Sequence, residues 1–280
     1  MIELRGLTKR FGDFTAVDNL NLRIETNEFI GLLGPNGAGK TTTISMMSTV
    51  LLPTAGEVRI DGKPLTRKAS AEKRKLSVVT QEYSMRQDMT MDEVMEYQGR
   101  LYYMRKRDIR AKSEELFEFA GLLEYRHRTV RHLSGGMKRK LMVCRALLVN
   151  PEILLLDEPT AGMDALARRQ MWSLLRRLKN DRLTILLTTH YIDEAQALCD
   201  RVAFLDAGKL DVVDTPMALI ERLGTFAIDT LENGELCSAY YHSREEAIER
   251  LRDLPDDAVL RATTLEDVFV ERLGHRLTHA

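Results

Sequence analysis

The chain has 280 residues and nearly equal numbers of basic and acidic ones, 41 and 42, for a formal net charge of −1. That balance excludes a global basic field of the kind that gathers nucleic acid, so no nucleic-acid partner is expected and any polyanion must be bound locally. The length suits one large domain or a domain with an appendage, and the 3 scattered cysteines, Cys144, Cys199 and Cys237, exclude a disulfide framework and fit a reducing cytoplasm.

In chain order, Met1–Arg5 alternates like a strand and lacks the basic start and apolar core of a signal peptide. Ile2–Leu4, Leu20–Ile24 and Val58–Ile60 repeat with period two around turns at Gly12–Asp13 and Asp61–Gly62, which predicts a small antiparallel β subdomain. Between them Phe29–Leu33 is a short apolar run of the kind that makes a buried parallel strand. It leads into Gly34, Pro35, Asn36, Gly37, Ala38, Gly39, Lys40, Thr41 and Thr42, which match the phosphate-binding P-loop pattern, and then into a helix over 41–51. Leu76–Thr80 is a further strand, ending at Gln81.

Over about 85–150 the period becomes helical, with Met91–Met104, Ile109–Ala120 and Met137–Val149 forming an inserted α-helical subdomain. Two continuous apolar strands then return, Ile153–Leu156 and Thr184–Thr188, with a helix over Leu166–Lys179 between them. No apolar run approaches the ~20 residues that span a bilayer. A boundary is expected near residue 215, separating a main domain, 1–215, from an accessory α/β unit, 216–280. That unit is built on a turn at 232–234, a helix near Arg244–Leu254 and a last helix near Thr264–Leu273. His275 and His279 have metal-like spacing, although a solvated tail is the plainer reading.

The chemistry gathers in three stretches. In the first, Gly34, Gly37 and Gly39 carry no side chains, so successive backbone N–H groups can turn inward around a polyphosphate. The following helix aims its positive end at the same phosphates, Lys40 can reach the β and γ oxygens, and Thr41 offers a hydroxyl to Mg²⁺. A dinucleotide site is disfavoured, because the Gly-x-Gly-x-x-Gly order is absent. In the second, Asp157 and Glu158 stand just beyond the carboxyl end of a buried strand, where open α/β sheets bind ligands. Asp157 would hold Mg²⁺, and Glu158 would polarise the water attacking a γ-phosphate. His190 and Gln81 end their own strands on the same edge of the sheet if the strands are parallel. The third stretch is Leu133-Ser134-Gly135-Gly136-Met137, followed by Lys138-Arg139-Lys140. Ser134 is an N-cap candidate, and the glycines let a phosphate approach the helix start closely. Because this end lies on the helical insertion rather than beside Lys40, its phosphate could come from another copy.

With these pieces in this order, residues 2–215 resemble the ATP-binding-cassette family, specifically the nucleotide-binding subunit of a transporter. The resemblance implies an α/β P-loop NTPase of the ABC type, with an antiparallel β subdomain, an inserted α-helical subdomain and a small C-terminal α/β appendage. It implies an adenine-stacking aromatic at Phe11 and a glutamine-loop residue at Gln81 with catalytic and Mg²⁺-binding roles. It further implies a signature at 133–137 with Ser134 and Gly136 facing phosphate, a dimer-contact loop at Ala161–Asp164, and a switch histidine at His190. The pattern departs at Met137, where the signature usually has glutamine, and at Phe11, where tyrosine is common.

The family further implies ATP with Mg²⁺, held between the P-loop of one subunit and the signature of a second, identical or related. Work passes to a membrane-spanning subunit, which places the chain at the cytoplasmic face of the cell membrane. A helix of that subunit is implied to dock beside Gln81 and the helical insertion. There Tyr83, Met85, Met89, Met91 and Met95 read equally as partner surface and as local core. The ending Thr264–Phe269 resembles the ABC-2-type branch that serves drug, lipid-linked or oligosaccharide export. The rival reading is a soluble ATPase of the same family in translation or DNA maintenance, which usually has two cassettes or a long coiled coil. A P-loop kinase would have no use for the signature.

Overall fold

Alternation along the central strands divides their apolar side chains between two cores, and this division sets the architecture. In the strand Phe29–Leu33, Phe29 and Leu33 face one core while Ile30 and Leu32 face the other. The strands Ile153–Asp157, Thr184–Thr189 and Arg201–Asp206 split in the same way. Strands covered on both faces read as unbroken apolar runs, which is why the sequence shows them as such. The computed structural model describes residues 1–179, 183–232 and 234–274. Asn233 of the expected 232–234 turn and the His275 and His279 pair lie outside the described residues.

The main sheet has six strands in the order Lys209–Asp214, Arg201–Asp206, Phe29–Leu33, Thr184–Thr189, Ile153–Asp157, Leu76–Val79. All neighbours pair in parallel except the first two, which are antiparallel. One core lies between this sheet and a four-stranded antiparallel sheet, ordered Phe14–Ile24, Ile2–Phe11, Ala55–Ile60, Lys63–Pro64, with Ile44, Met46 and Met47 of the helix Lys40–Met47 between them. The other core joins the sheet to the helices Met91–Leu101, Lys106–Ala120, Gly135–Leu147 and Ala165–Leu178. Thr90, Ser134 and Asp164 cap three of these helices with their side chains.

Several expectations are corrected at their ends. The first helix stops at Met47 rather than Leu51, because Thr49 takes a left-handed conformation, φ 62°. The next stops at Leu101 rather than Met104, with Tyr103 left-handed at φ 59°. Met85, Met91 and Met95 are buried in the core, so of the five residues read two ways only Tyr83 is exposed, with Met89 packed partly against the core. The sequence reading did not foresee the helices Ser70–Arg74, Ile192–Leu198 and Pro216–Leu223, nor the hairpin Arg201–Asp214.

The core is continuous across residue 215. Leu219 and Ile220 of Pro216–Leu223, and Leu265 and Val268 of Leu265–Phe269, share it with Ala195 and Phe204. Beyond them stands a three-stranded antiparallel sheet, Glu235–Tyr241, Phe226–Glu232, Val259–Ala262, covered by the helix Arg244–Leu251. Arg261 ties this sheet to the following helix by bonding both Asp229 and Asp267, which raises its own pKa and holds the Asp229 carboxyl below the usual range.

Candidate functional site

Four adjacent parallel strands deliver the chemistry to one edge. Phe29–Leu33 runs into Gly34, Thr184–Thr189 into His190, Ile153–Asp157 into Glu158, and Leu76–Val79 toward Gln81. This is the carboxyl edge, where crossover connections leave room for a ligand. A cleft of about 470 Å³ opens there, lined by Phe11, Phe14, Asn36 to Thr42 in part, Gln81 and Glu158.

The loop after the first strand is built by close backbone approach. A Cβ on Gly34 would stand 2.1 Å from the Leu205 carbonyl oxygen, and Gly39, left-handed at φ 101°, would place one 2.4 Å from that of Ala16. Gly39 is also the N-cap of Lys40–Met47 and offers no side-chain acceptor, so the first N–H groups of that helix remain free for an anion. Lys40 is buried. Its ammonium donates to the carbonyls of Gly34, at 2.8 Å, and Pro35, at 3.0 Å, and lies 3.6 Å from Glu158 Oε1. Burial lowers its pKa, opposed by the charge of Glu158.

Asp157 and Glu158 are both buried and point to different partners. Asp157 Oδ1 accepts from Thr41 Oγ1 at 3.1 Å and from Thr188 Oγ1 at 2.6 Å. Burial nevertheless pushes its pKa up. A buried carboxylate beside a threonine hydroxyl, with its charge incompletely offset, is a donor set that suits a hard divalent cation. Glu158 sits in the left-handed region, φ 47°, held by its N–H donating to the carbonyl and the hydroxyl oxygen of Thr188, each at 3.1 Å. A left-handed backbone in a non-glycine residue is strained and persists only where its surroundings hold it, and here the two carboxylates meet different partners. Glu158 Oε2 meets His190 Nδ1 at 3.2 Å.

The structure therefore brings Lys40, Thr41, Asp157, Glu158 and His190 into one contact network, with Phe11 and Gln81 on the cleft wall. It does not bring Ser134 and Gly136 there. They begin the helix Gly135–Leu147, where Ser134 Oγ accepts from Met137 N at 3.2 Å and Ser134 and Gly135 face solvent. Asp164 caps the next helix through Ala167 N.

Sequence reasoning missed four residues around this site. Phe14 is the cross-strand partner of Phe11 and shares the cleft, while Lys9 stands over the Phe11 ring at 5.1 Å. The Gly12–Asp13 turn between two phenylalanines was a usable signal. Thr188, a hydroxyl in an otherwise apolar run, positions both carboxylate residues. Glu194, fully buried on the helix Ile192–Leu198 that follows His190, accepts from Trp172 Nε1 at 3.0 Å, and burial raises its pKa.

Residues 17–161 match the family model described as ABC transporter. Nod factor export ATP-binding protein I of Burkholderia orbicola is 37% identical over 297 residues, covering 99% of this chain and 98% of the relative. A daunorubicin resistance ATP-binding protein of Streptomyces coeruleorubidus is 38% identical over 302 residues, covering 98% and 96%. Among solved structures, a dimeric ATP-binding cassette in a post-hydrolysis state bound to ADP and Pi is 28% identical, with a TM-score of 0.69 over 77% of this chain and 98% of that one.

Proposed function

Since this chain belongs to the ABC transporter family as an ATP-binding and ATP-hydrolysing subunit of its exporter branch, we propose that hydrolysis is carried by Glu158 with His190 and Gln81 in the cleft beneath the P-loop. The observation that carries this reading is the placement of Glu158 between Lys40 and His190, on a left-handed backbone held by Thr188.

ATP enters with its base against Phe11 and its phosphates along Asn36 to Thr42. Lys40 exchanges its two carbonyl partners for β and γ oxygens, a charge-assisted replacement that favours the bound state. Thr41 and Asp157, with Gln81, would hold Mg²⁺, which neutralises charge on the phosphate oxygens. Glu158 takes the proton of the in-line water, and His190 orients the Glu158 carboxylate while reaching the γ-phosphate. Ser134 and Gly136 serve the nucleotide of a second subunit, identical or related, so that ATP closes the pair and hydrolysis releases it.

The partner is a membrane-spanning subunit, and the chain works at the cytoplasmic face of the cell membrane. Among the described residues no helix is long and apolar enough to cross a membrane. Support for a docking groove comes from a cavity of about 290 Å³ between the end of the Lys40–Met47 helix, the strand leading to Gln81 and the helical insertion. Val50 and Tyr102 line it, and Leu101 and Tyr103 stand exposed beside it, Tyr103 at 89%. Exposed aromatics at a groove mark partner surfaces. The cargo is then chosen in the membrane subunit.

The test is to purify a tagged E158Q form from membranes of its native host in mild detergent. Recovery with a multi-spanning membrane protein in stoichiometric amount is expected. Recovery from the cytosol alone, or with ribosomes or DNA proteins, would overturn the membrane assignment.

A further inference from the structure

Arg139 is a buried cation whose presence local stability does not account for. It lies on the helix Gly135–Leu147 and is 2% exposed. Its Nη1 donates to the Thr80 carbonyl at 2.8 Å, while its Nε has no hydrogen-bond partner. No carboxylate of the described residues lies within ion-pair distance, and burial lowers its pKa. Burying a guanidinium without a paired carboxylate costs stability that an apolar side chain of the same length would not. What the cation does secure is specific: it holds the carbonyl of the peptide that leads directly into Gln81.

The neighbouring contacts repeat the same link. The Arg139 guanidinium lies 5.1 Å from the centre of the Tyr83 ring, and Lys138 lies 5.9 Å from it. Tyr83 Oη donates in turn to the Gly135 carbonyl at 3.3 Å. Further along the helix, Arg145 donates to the Ser84 carbonyl and to its hydroxyl oxygen, each at 2.8 Å. Thr80, Tyr83 and Ser84 are thus all fastened to the helix that starts at Ser134. Gln81 and Glu82, between them, are exposed. Tyr83 bonds Gly135 through its carbonyl, and the N–H groups of Gly135 and Gly136, in the first turn, have no partner within the helix.

We propose that Arg139 is a positioning residue that makes the Gln81 segment and the Ser134 helix end one rigid lever, so that occupancy of one ATP site sets the helix end presented to the other. The inference rests on the two-site reading above and deepens it. When Gln81 engages the γ-phosphate end of its own cleft, the Thr80 carbonyl moves with it. Arg139 passes that displacement to a helix whose N-terminus serves the partner's nucleotide. The two sites then bind with positive coupling, a property of the pair that neither cleft has alone.

The experiment compares wild type, R139M, R139K and Y83L in the intact transporter complex, reading ATP hydrolysis against ATP concentration, with binding of a fluorescent ATP analogue to the isolated dilute subunit alongside. Tyr83 is exposed, so Y83L weakens the link without emptying the core. A Hill coefficient of about 2 in wild type should fall toward about 1 in R139M. The turnover number should drop roughly 2- to 30-fold, with single-subunit affinity unchanged. R139K should recover part of the coupling, and Y83L should show a smaller loss of the same kind. Cooperative wild type with equally cooperative R139M and Y83L would overturn the lever. So would a fall in single-subunit affinity that accounts for the whole effect. A non-cooperative wild type would bring down the two-site reading itself, a different result.

Discussion

Among the described residues, the two helix N-termini proposed to receive phosphate are furnished in opposite ways. The start of Lys40–Met47 has no capping side chain, yet it is surrounded by Lys40, Thr41, Asp157, Glu158 and His190. The start of Gly135–Leu147 is capped by its own Ser134, faces solvent, and has no acidic residue in its first turn. On the proposed reading, one end holds the machinery for cleaving a phosphate and the other only a seat for one. Two half-sites of different kinds in one chain call for a second chain, because the seat has nothing of its own to act on.

The most severe way to break this asymmetry is at the machinery. E158Q preserves shape and the contact with His190 but removes the base, and hydrolysis should fall by about 10²- to 10⁴-fold. ATP should still bind and hold the pair closed, so size-exclusion chromatography with ATP should show a stable dimer. Near-normal turnover would mean that another group takes the proton.

At the seat, G136D places a carboxylate where a phosphate is to rest. Like-charge contact at that point should lower turnover by about a hundredfold, through loss of pairing rather than of ATP. The isolated variant should bind ATP analogue as wild type does but fail to dimerise with it. Equal loss of binding in the isolated chain would show that the helix end belongs to its own cleft.

How legible each half-site was in the sequence follows from how local its cause is. The P-loop, the Asp157-Glu158 pair and Ser134 are each written within a few consecutive residues, because a nest, a strand end and a cap are local structures. Parallel pairing then carries His190 and Gln81 to the same edge, a step the alternating two-core pattern makes recoverable. The roles of Thr188 and Arg139 were not legible. Thr188 acts across two strands, through a bond spanning 31 residues, and Arg139 across 59. The methionines near residue 90 were ambiguous for a related reason. Met suits both a core and a partner surface, and only the packing of Met91–Leu101 decides for the core. The hairpin Arg201–Asp214 was overlooked although Gly208 marks its turn, where Ala207 and Gly208 both take positive φ in the structure.

The smallest effect sharpens the same contrast through stability. Burial raises the Asp157 pKa, and the hydroxyls of Thr188 and Thr41 oppose that only in part. A carboxyl whose folded pKa lies above its unfolded value of about 3.9 contributes stability below that value and loses it as pH rises through the folded pKa. The nucleotide-free chain therefore loses stability in its cleft as pH rises through the Asp157 pKa, while the Ser134 helix end has no acidic residue in its first turn. D157N keeps an oxygen acceptor for both threonines and removes the charge. Its melting temperature without nucleotide should exceed wild type by about 2 °C at pH 7, and the difference should shrink as pH falls toward the carboxyl range. Adding ATP with Mg²⁺ should raise the wild-type melting temperature and leave D157N nearly unmoved, since stabilisation by a ligand follows its affinity for the folded state. A variant that melts below wild type at pH 7, or a gap that widens in acid, would mean that Asp157 supports the empty fold and is not held ready for a cation.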